Sequence, residues 1–142
     1  MMVIRPAGAG DAHEIARLID ELGYPVTPDQ VEARLKILET AGECALVAEL
    51  DGKVVACLSI STTKVLHRPA PVGRISMMVV DEALRGQGIG AELVAAAERL
   101  LAERGCQLVE VTSNLRRTDA HRFWEREGYE RTSARFAKQV RG

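Results

Sequence analysis

Arg85-Gly86-Gln87-Gly88-Ile89-Gly90-Ala91 is the stretch that decides the fold. It follows the apolar run Ile75 to Val80 and opens a segment in which Ile89, Leu93, Ala96, Ala97, Leu100 and Leu101 recur at helical spacing. The order is strand, glycine turn, helix. Alternate glycines leave backbone N–H groups with no side chain in front of them, just where a helix presents its unpaired N-terminal donors and positive dipole end. Such a turn suits a phosphate.

Upstream, Cys44 to Leu50 and Val54 to Thr62 are strand candidates joined by Asp51-Gly52, a hairpin signal that predicts antiparallel pairing. His67 to Pro71 is a loop because Pro69 and Pro71 exclude regular structure, and Gly73 to Val80 is a third long strand. Val3 to Arg5 is a short strand ended by Pro6. Asp11 with Glu14 reads as a capping box opening a helix with Ile15, Leu18, Ile19 and Leu22 inward and Gly23 as its stop. Tyr24-Pro25 turns the chain. Thr27-Pro28-Asp29-Gln30 then starts a second helix, with Val31, Leu35 and Leu38 as its buried stripe and Gly42 as its end.

Downstream, Arg104-Gly105 stops the helix that follows the glycine turn. Cys106 to Thr112 is a further strand, parallel to the one before the turn through a right-handed crossover. After the polar loop Ser113 to Arg117, Thr118 or Asp119 is expected to cap a short helix carrying Ala120, Phe123 and Trp124 inward as far as Gly128. Tyr129 to Val140 is expected to hold one or two closing strands. The predicted fold is therefore α/β, with antiparallel N-terminal strands, one central βαβ crossover, a mixed sheet and helices on both faces, in a single domain over residues 1–142.

A chain of 142 residues can bury a core without staples. Its 19 basic and 20 acidic side chains nearly cancel, so phosphate recognition has to be local, and nucleic acid is not an expected partner. Cys44, Cys57 and Cys106 are odd in number and lack CxxC spacing, which indicates neither a disulfide framework nor a metal site. With no apolar leader or membrane-length run, a reduced cytoplasmic setting is expected.

Gly86-x-Gly88-x-x-Ala91 also satisfies the dinucleotide fingerprint, and Glu110 lies about twenty residues beyond Gly90, near where a ribose-binding acid belongs. The surrounding pattern opposes NAD. A Rossmann domain needs several parallel strands after the motif, whereas a single crossover follows here and a hairpin precedes it.

The element order, Met78-Val79-Val80-Asp81 ahead of Arg85-x-x-Gly88-x-Gly90, and Phe123-Trp124-Glu125-Arg126-Glu127-Gly128-Tyr129 together resemble the GNAT superfamily of N-acetyltransferases. The resemblance covers nearly the whole chain. It implies transfer of an acetyl group from acetyl-CoA to a primary amine, by direct attack in a ternary complex. It further implies that the backbone of Met78, Val79 and Val80 meets the pantetheine arm and thioester carbonyl. Behind Arg85, the N–H groups of Gly86, Gln87, Gly88, Ile89, Gly90 and Ala91 would hold the pyrophosphate. Asn114 stands near where members use an asparagine toward the cofactor. Trp124 occupies the place of a tyrosine taken to protonate the leaving thiolate, and an indole N–H donates a hydrogen bond but is not a usable acid.

An amine that titrates near 10.4 must lose a proton before it attacks. His67, Glu82, Glu110 and His121 are the candidate bases, beside a chain of waters leading to bulk, and no side chain is singled out as catalytic. Arg116, Arg117 and Arg122 cluster near the second loop and read first as a solvated basic surface, with contact to an adenosine 3′-phosphate as the functional alternative. Tyr24, in the segment that covers the acceptor in relatives, and His67, in the proline loop, are the expected acceptor-side residues. The acceptor is expected to be a small amine, and the chain has room to act as a homodimer. The competing readings are a module that holds acetyl-CoA without catalysis and a transferase acting on protein or peptide amines.

Overall fold

Asp51 and Gly52 turn the chain with φ of 50° and 83°, the left-handed pair that matches the twist of a two-residue hairpin. The strands they join, β2 (Cys44–Leu50) and β3 (Lys53–Thr63), pair antiparallel from Leu50 with Lys53 to Cys44 with Ile60. β1 (Met2–Pro6) adds antiparallel to β2, and β4 (Val72–Val80) adds antiparallel to β3. With β5 (Leu108–Val111) the mixed sheet has the order β1-β2-β3-β4-β5, the expected fold class. The computed structural model describes residues 1–113 and 116–142. These form two compact units, Met1–Glu110 and Val111–Gly142.

In the first unit, β4 carries a bulge. Ser59 pairs with Met77 and Ile60 with Ile75, so Ser76 is an extra residue without a partner across the ladder. One extra residue exchanges the faces of a strand. Before the bulge, Gly73 and Ile75 point to the face covered by α3 (Ile89–Glu103); after it, Met77 and Val79 point to the face covered by α1 (Ala12–Glu21) and α2 (Pro28–Thr40). Met78 and Val80 are thereby returned to the α3 face. The Ser76 hydroxyl lies 2.8 Å from that of Ser59.

Two cores result, one on each face of the sheet. Ile15, Leu18, Val31, Val47, Cys57 and Val79 pack together under α1 and α2. On the opposite face Leu58, Ile60 and Ile75 are fully buried, as are Leu93, Val94, Ala97 and Leu101 of α3. The glycine at 73 allows the close approach there, since a Cβ at that position would sit 2.9 Å from Leu101 Cδ1. The α3 stripe is slightly rotated from the expected one: Val94 is buried, and Ala96 and Leu100 are half-exposed.

α2 starts as its sequence requires. The Gln30 N–H donates to Thr27 Oγ1 at 3.2 Å and the Thr27 N–H to Gln30 Oε1 at 3.0 Å, with Pro28 first in the helix. Asp11 does something else than cap α1. Arg5 draws its carboxylate away with two hydrogen bonds of 2.8 Å, and the Gly8 N–H takes a third at 2.8 Å. A two-pronged charged donor outcompetes a single helix N–H.

In the second unit, α4 (Thr118–Arg126) is preceded by Arg117, and neither expected cap makes the bond; Asp119 pairs with Arg122 instead. Phe123 and Tyr129 both meet Trp124 edge to face, with ring centroids 5.0 and 5.2 Å away. The closing strands expected between Tyr129 and Val140 are not formed. Residues 130–142 are exposed, Phe136 at 93% and Val140 at 89%, although Ala134, Phe136 and Val140 would share one face of a strand.

Candidate active site

The junction of β4 with the glycine turn has a defined donor geometry. The Asp81 N–H donates to the Val55 carbonyl at 2.8 Å. Val80 and Ala56 are therefore a non-hydrogen-bonded pair of the antiparallel ladder, which turns the N–H groups of Val80 and Met78 away from β3. After Asp81 the chain makes one 3₁₀ turn, Glu82–Leu84, before reaching the glycines.

Gly86 and Gly88 both have φ of 82°, in the left-handed region, and a Cβ at either position would meet nothing within 4 Å. Steric demand from the protein thus does not explain the absence of side chains; the backbone conformation and the open space beside it do. Gly88 is the N-cap of α3 and offers no side-chain cap. The first α3 amide to bond back is Glu92, to the Gly88 carbonyl at 3.2 Å. This leaves the N–H groups of Ile89, Gly90 and Ala91 aimed out of the helix at its positive end. Groups so arranged can donate to the oxygens of an anion.

A cluster missed by sequence reading holds the junction from beneath. Arg17 Nη1 reaches Asp81 Oδ2 at 3.1 Å and Glu21 Oε2 at 2.9 Å, and Arg17 Nη2 reaches Glu14 Oε2 at 3.3 Å. Glu21 Oε1 accepts the Glu82 N–H at 2.9 Å, and Asp81 Oδ1 accepts the Ala83 N–H at 3.0 Å. That last bond, assisted by the charge of Arg17 and opposed by burial, holds the Asp81 carboxyl below its usual value. The only sequence sign of this cluster is the helical spacing of Glu14, Arg17 and Glu21; Asp81 is 64 residues from Arg17.

The other expected site residues lie as follows. Tyr24 is 62% exposed in the turn after α1, the helix whose end is tied to Glu82. His67 is exposed in the β3–β4 loop, and β4 separates it from the glycine turn by roughly 30 Å of strand at about 3.3 Å per residue. Trp124 is 8% exposed in the second unit. Asn114 lies outside the described residues. Of the candidate bases, Glu82 and Glu110 are exposed, and His121 Nδ1 is 3.1 Å from Arg131 Nη2. A guanidinium only donates, so that ring nitrogen accepts. Burial pushes the Cys57 thiol up to about 12, which suits a core residue and not a nucleophile. Among the described residues no group of three metal-ligating side chains converges, and no helix is long and apolar enough to cross a membrane.

A mixed sheet whose fourth strand runs through an open glycine turn into the N-terminus of a helix defines the class of fold. Residues 12–129 match the acetyltransferase (GNAT) family, and the chain belongs to it: an N-acetyltransferase family whose acetyl donor is acetyl-CoA. The chain is 35% identical to an aminoalkylphosphonate N-acetyltransferase from Salmonella typhimurium LT2, over 96% of this chain and 90% of that one. Its structure resembles a transcriptional regulator from Bacillus halodurans C-125, with TM-score 0.89, 25% identity, and 99% and 100% of the two chains covered. It also resembles an aminoglycoside N-acetyltransferase in complex with CoA, with TM-score 0.87, 20% identity, and 100% and 96% covered.

Proposed function

We propose that this chain moves the acetyl group of acetyl-CoA to the primary amine of a small molecule, by direct attack in a ternary complex, with an aminoalkylphosphonate as the leading acceptor. The observation that carries the donor half is the continuity of two donor sets, the outward N–H of Val80 and the open N–H groups of the glycine turn. The acceptor half is supported by the 35% identical relative, which bears that activity in its name. The family match spans both compact units, which supports their acting as one domain.

Acetyl-CoA supplies an acyl group already activated as a thioester. Ile89, Gly90 and Ala91 bind its pyrophosphate through their N–H groups, Gly86, Gln87 and Gly88 bring the backbone close, and Arg85 adds positive charge. Met78 and Val80 turn their N–H groups away from β3 toward the pantetheine arm, Val79 between them is held by Cys57 of β3, and the Val80 N–H faces the oxygen on which negative charge grows. Tyr24 takes the acceptor side. None of His67, Glu82, Glu110 and His121 is placed to single itself out as base, so the amine proton leaves through water to bulk.

Trp124 stands where a phenol would be the acid, and an indole gives up no proton. With thiolate departure independent of a side-chain acid, Trp124→Tyr is expected to leave kcat within about twofold of native. A loss of tenfold or more would assign the indole a packing or acceptor-binding role.

The test is thiol release from acetyl-CoA in the presence of aminoalkylphosphonates, aminoglycosides and lysine peptides. Acceptor-dependent release with the phosphonates is the expected result. Release only with peptides would move the acceptor to protein amines. Acetyl-CoA binding without release for any amine would leave a binding module.

A further inference from the structure

We propose that Arg17 is a positioning residue for acetyl transfer: it fixes the junction, residues 81–83, that sets the distance between the thioester-facing end of β4 and the pyrophosphate-facing glycine turn. The inference rests on acetyl-CoA spanning those two donor sets.

Two carboxylates share their work in the same way. Asp81 gives one oxygen to Arg17 and the other to the Ala83 N–H; Glu21 gives one oxygen to Arg17 and the other to the Glu82 N–H. Of the three junction amides, that of Asp81 is held by the Val55 carbonyl, and those of Glu82 and Ala83 are held by carboxylates that Arg17 holds in turn. Glu14 places a third carboxylate on the same guanidinium. Without the cation, three negative groups would face one another, and Glu21 would swing away from the junction.

A pair of surface helix ion bonds would account for Glu14 and Glu21, which stand three residues before and four after Arg17. It does not account for Asp81, the residue that follows the last of β4. Nor does it account for the bond from Glu21 to a backbone amide of another element. The Arg17 side chain is 35% exposed, with its Nε buried and unbonded, an arrangement better suited to orienting groups than to adding stability.

The ligand must be met at both ends at once. A shift of the glycine turn relative to Val80 by a fraction of an ångström leaves binding at either end possible but misplaces the thioester, so the loss should fall on kcat. Only part of it should fall on KM for acetyl-CoA.

The experiment compares native protein with Arg17→Met and Arg17→Lys, reading kcat, KM for acetyl-CoA, and amide hydrogen exchange of the ligand-free protein. Arg17→Met is expected to lower kcat about tenfold or more while KM rises less than about threefold. Exchange at Glu82 and Ala83 should speed by about tenfold. Arg17→Lys, which keeps the charge but cannot fork to three carboxylates, should fall between the two and folds even if the methionine variant does not. In an Asp81→Asn, Glu21→Gln background, Arg17→Met should cost less than about twofold, since the tie is already broken.

A kcat within twofold of native for Arg17→Met, or unchanged exchange at Glu82 and Ala83, would overturn the assignment. Failure of the native protein to bind acetyl-CoA would instead overturn the proposed function, and the exchange measurement still reports whether Arg17 holds the junction.

Discussion

Gly88→Glu is expected to weaken acetyl-CoA binding by at least about a hundredfold, equivalent to about 2.7 kcal/mol. Gly88 sits at φ 82° and ψ 3° as the N-cap of α3, and the space beside its missing Cβ is open. The protein would therefore not reject the new side chain by collision. Its carboxylate would project into the concavity at the helix N-terminus and repel the pyrophosphate. A left-handed non-glycine residue adds about 1 kcal/mol of strain, which Gly88→Asn shares in part without the charge.

The comparison of Gly88→Asn with Gly88→Glu isolates the electrostatic effect. Calorimetric titration measures it directly, and thermal shift gives a quicker view. Acetyl-CoA at a hundred times its dissociation constant stabilises the native protein by about 2.7 kcal/mol, worth several degrees, and should stabilise Gly88→Glu by no more than about 0.4 kcal/mol, roughly a degree. Gly90→Glu should behave alike. A folded Gly88→Glu variant with affinity within threefold of native would disprove the pyrophosphate placement.

The largest stability effect is expected at Asp11. Its residue is 9% exposed and accepts two hydrogen bonds from Arg5 and one from the Gly8 N–H. Asp11→Ala leaves that amide unpaired and the guanidinium with the Glu49 carboxylate, 2.9 Å away, and the Pro6 carbonyl, 3.2 Å away. The cost should be about 2–3 kcal/mol, or roughly 6–12 °C in Tm.

The same carboxylate predicts a pH dependence. The hydrogen bond from Arg5 holds the Asp11 carboxyl below its ordinary value of 3.8, with burial opposing and the Gly8 N–H assisting. A carboxyl depressed in the folded state contributes stability fully above its unfolded pKa and loses it as pH falls through the folded one. The Tm gap between native protein and Asp11→Ala should therefore be constant near neutrality and close progressively below about pH 4. A gap that persists unchanged to pH 2.5 would show that Asp11 acts through packing and not through its charge.

These sites differ in how visible they were beforehand. The Thr27-to-Gln30 cap, the Asp51-Gly52 hairpin and the bounds of β2 are written in residues a few positions apart, and each forms as read. The glycine turn belongs with them, because a left-handed conformation and a helix start are local properties. Asp11 and Arg17 were not legible in the same way. Asp11 has a plausible local partner in Glu14's capping pattern, yet Arg5, brought beside it by β1, takes its oxygens. The stretch after Gly128 was misread because alternation at Ala134, Phe136 and Val140 meets a local strand pattern, whereas a strand also needs a partner, and the described sheet holds none for it.

Short-range chemistry by itself determined the succession of strands and helices, the hairpin, and a left-handed glycine turn at the start of α3, since propensity, capping and glycine conformation act within a few residues. Only the tertiary structure decided which faces β4 presents on either side of Ser76, that the Val80 N–H looks away from β3, and that Arg17 gathers Glu14, Glu21 and Asp81 beneath the junction. Those depend on strand register and on charges meeting across 64 positions of chain, where pairing is settled by which surfaces pack and not by which residues are neighbours.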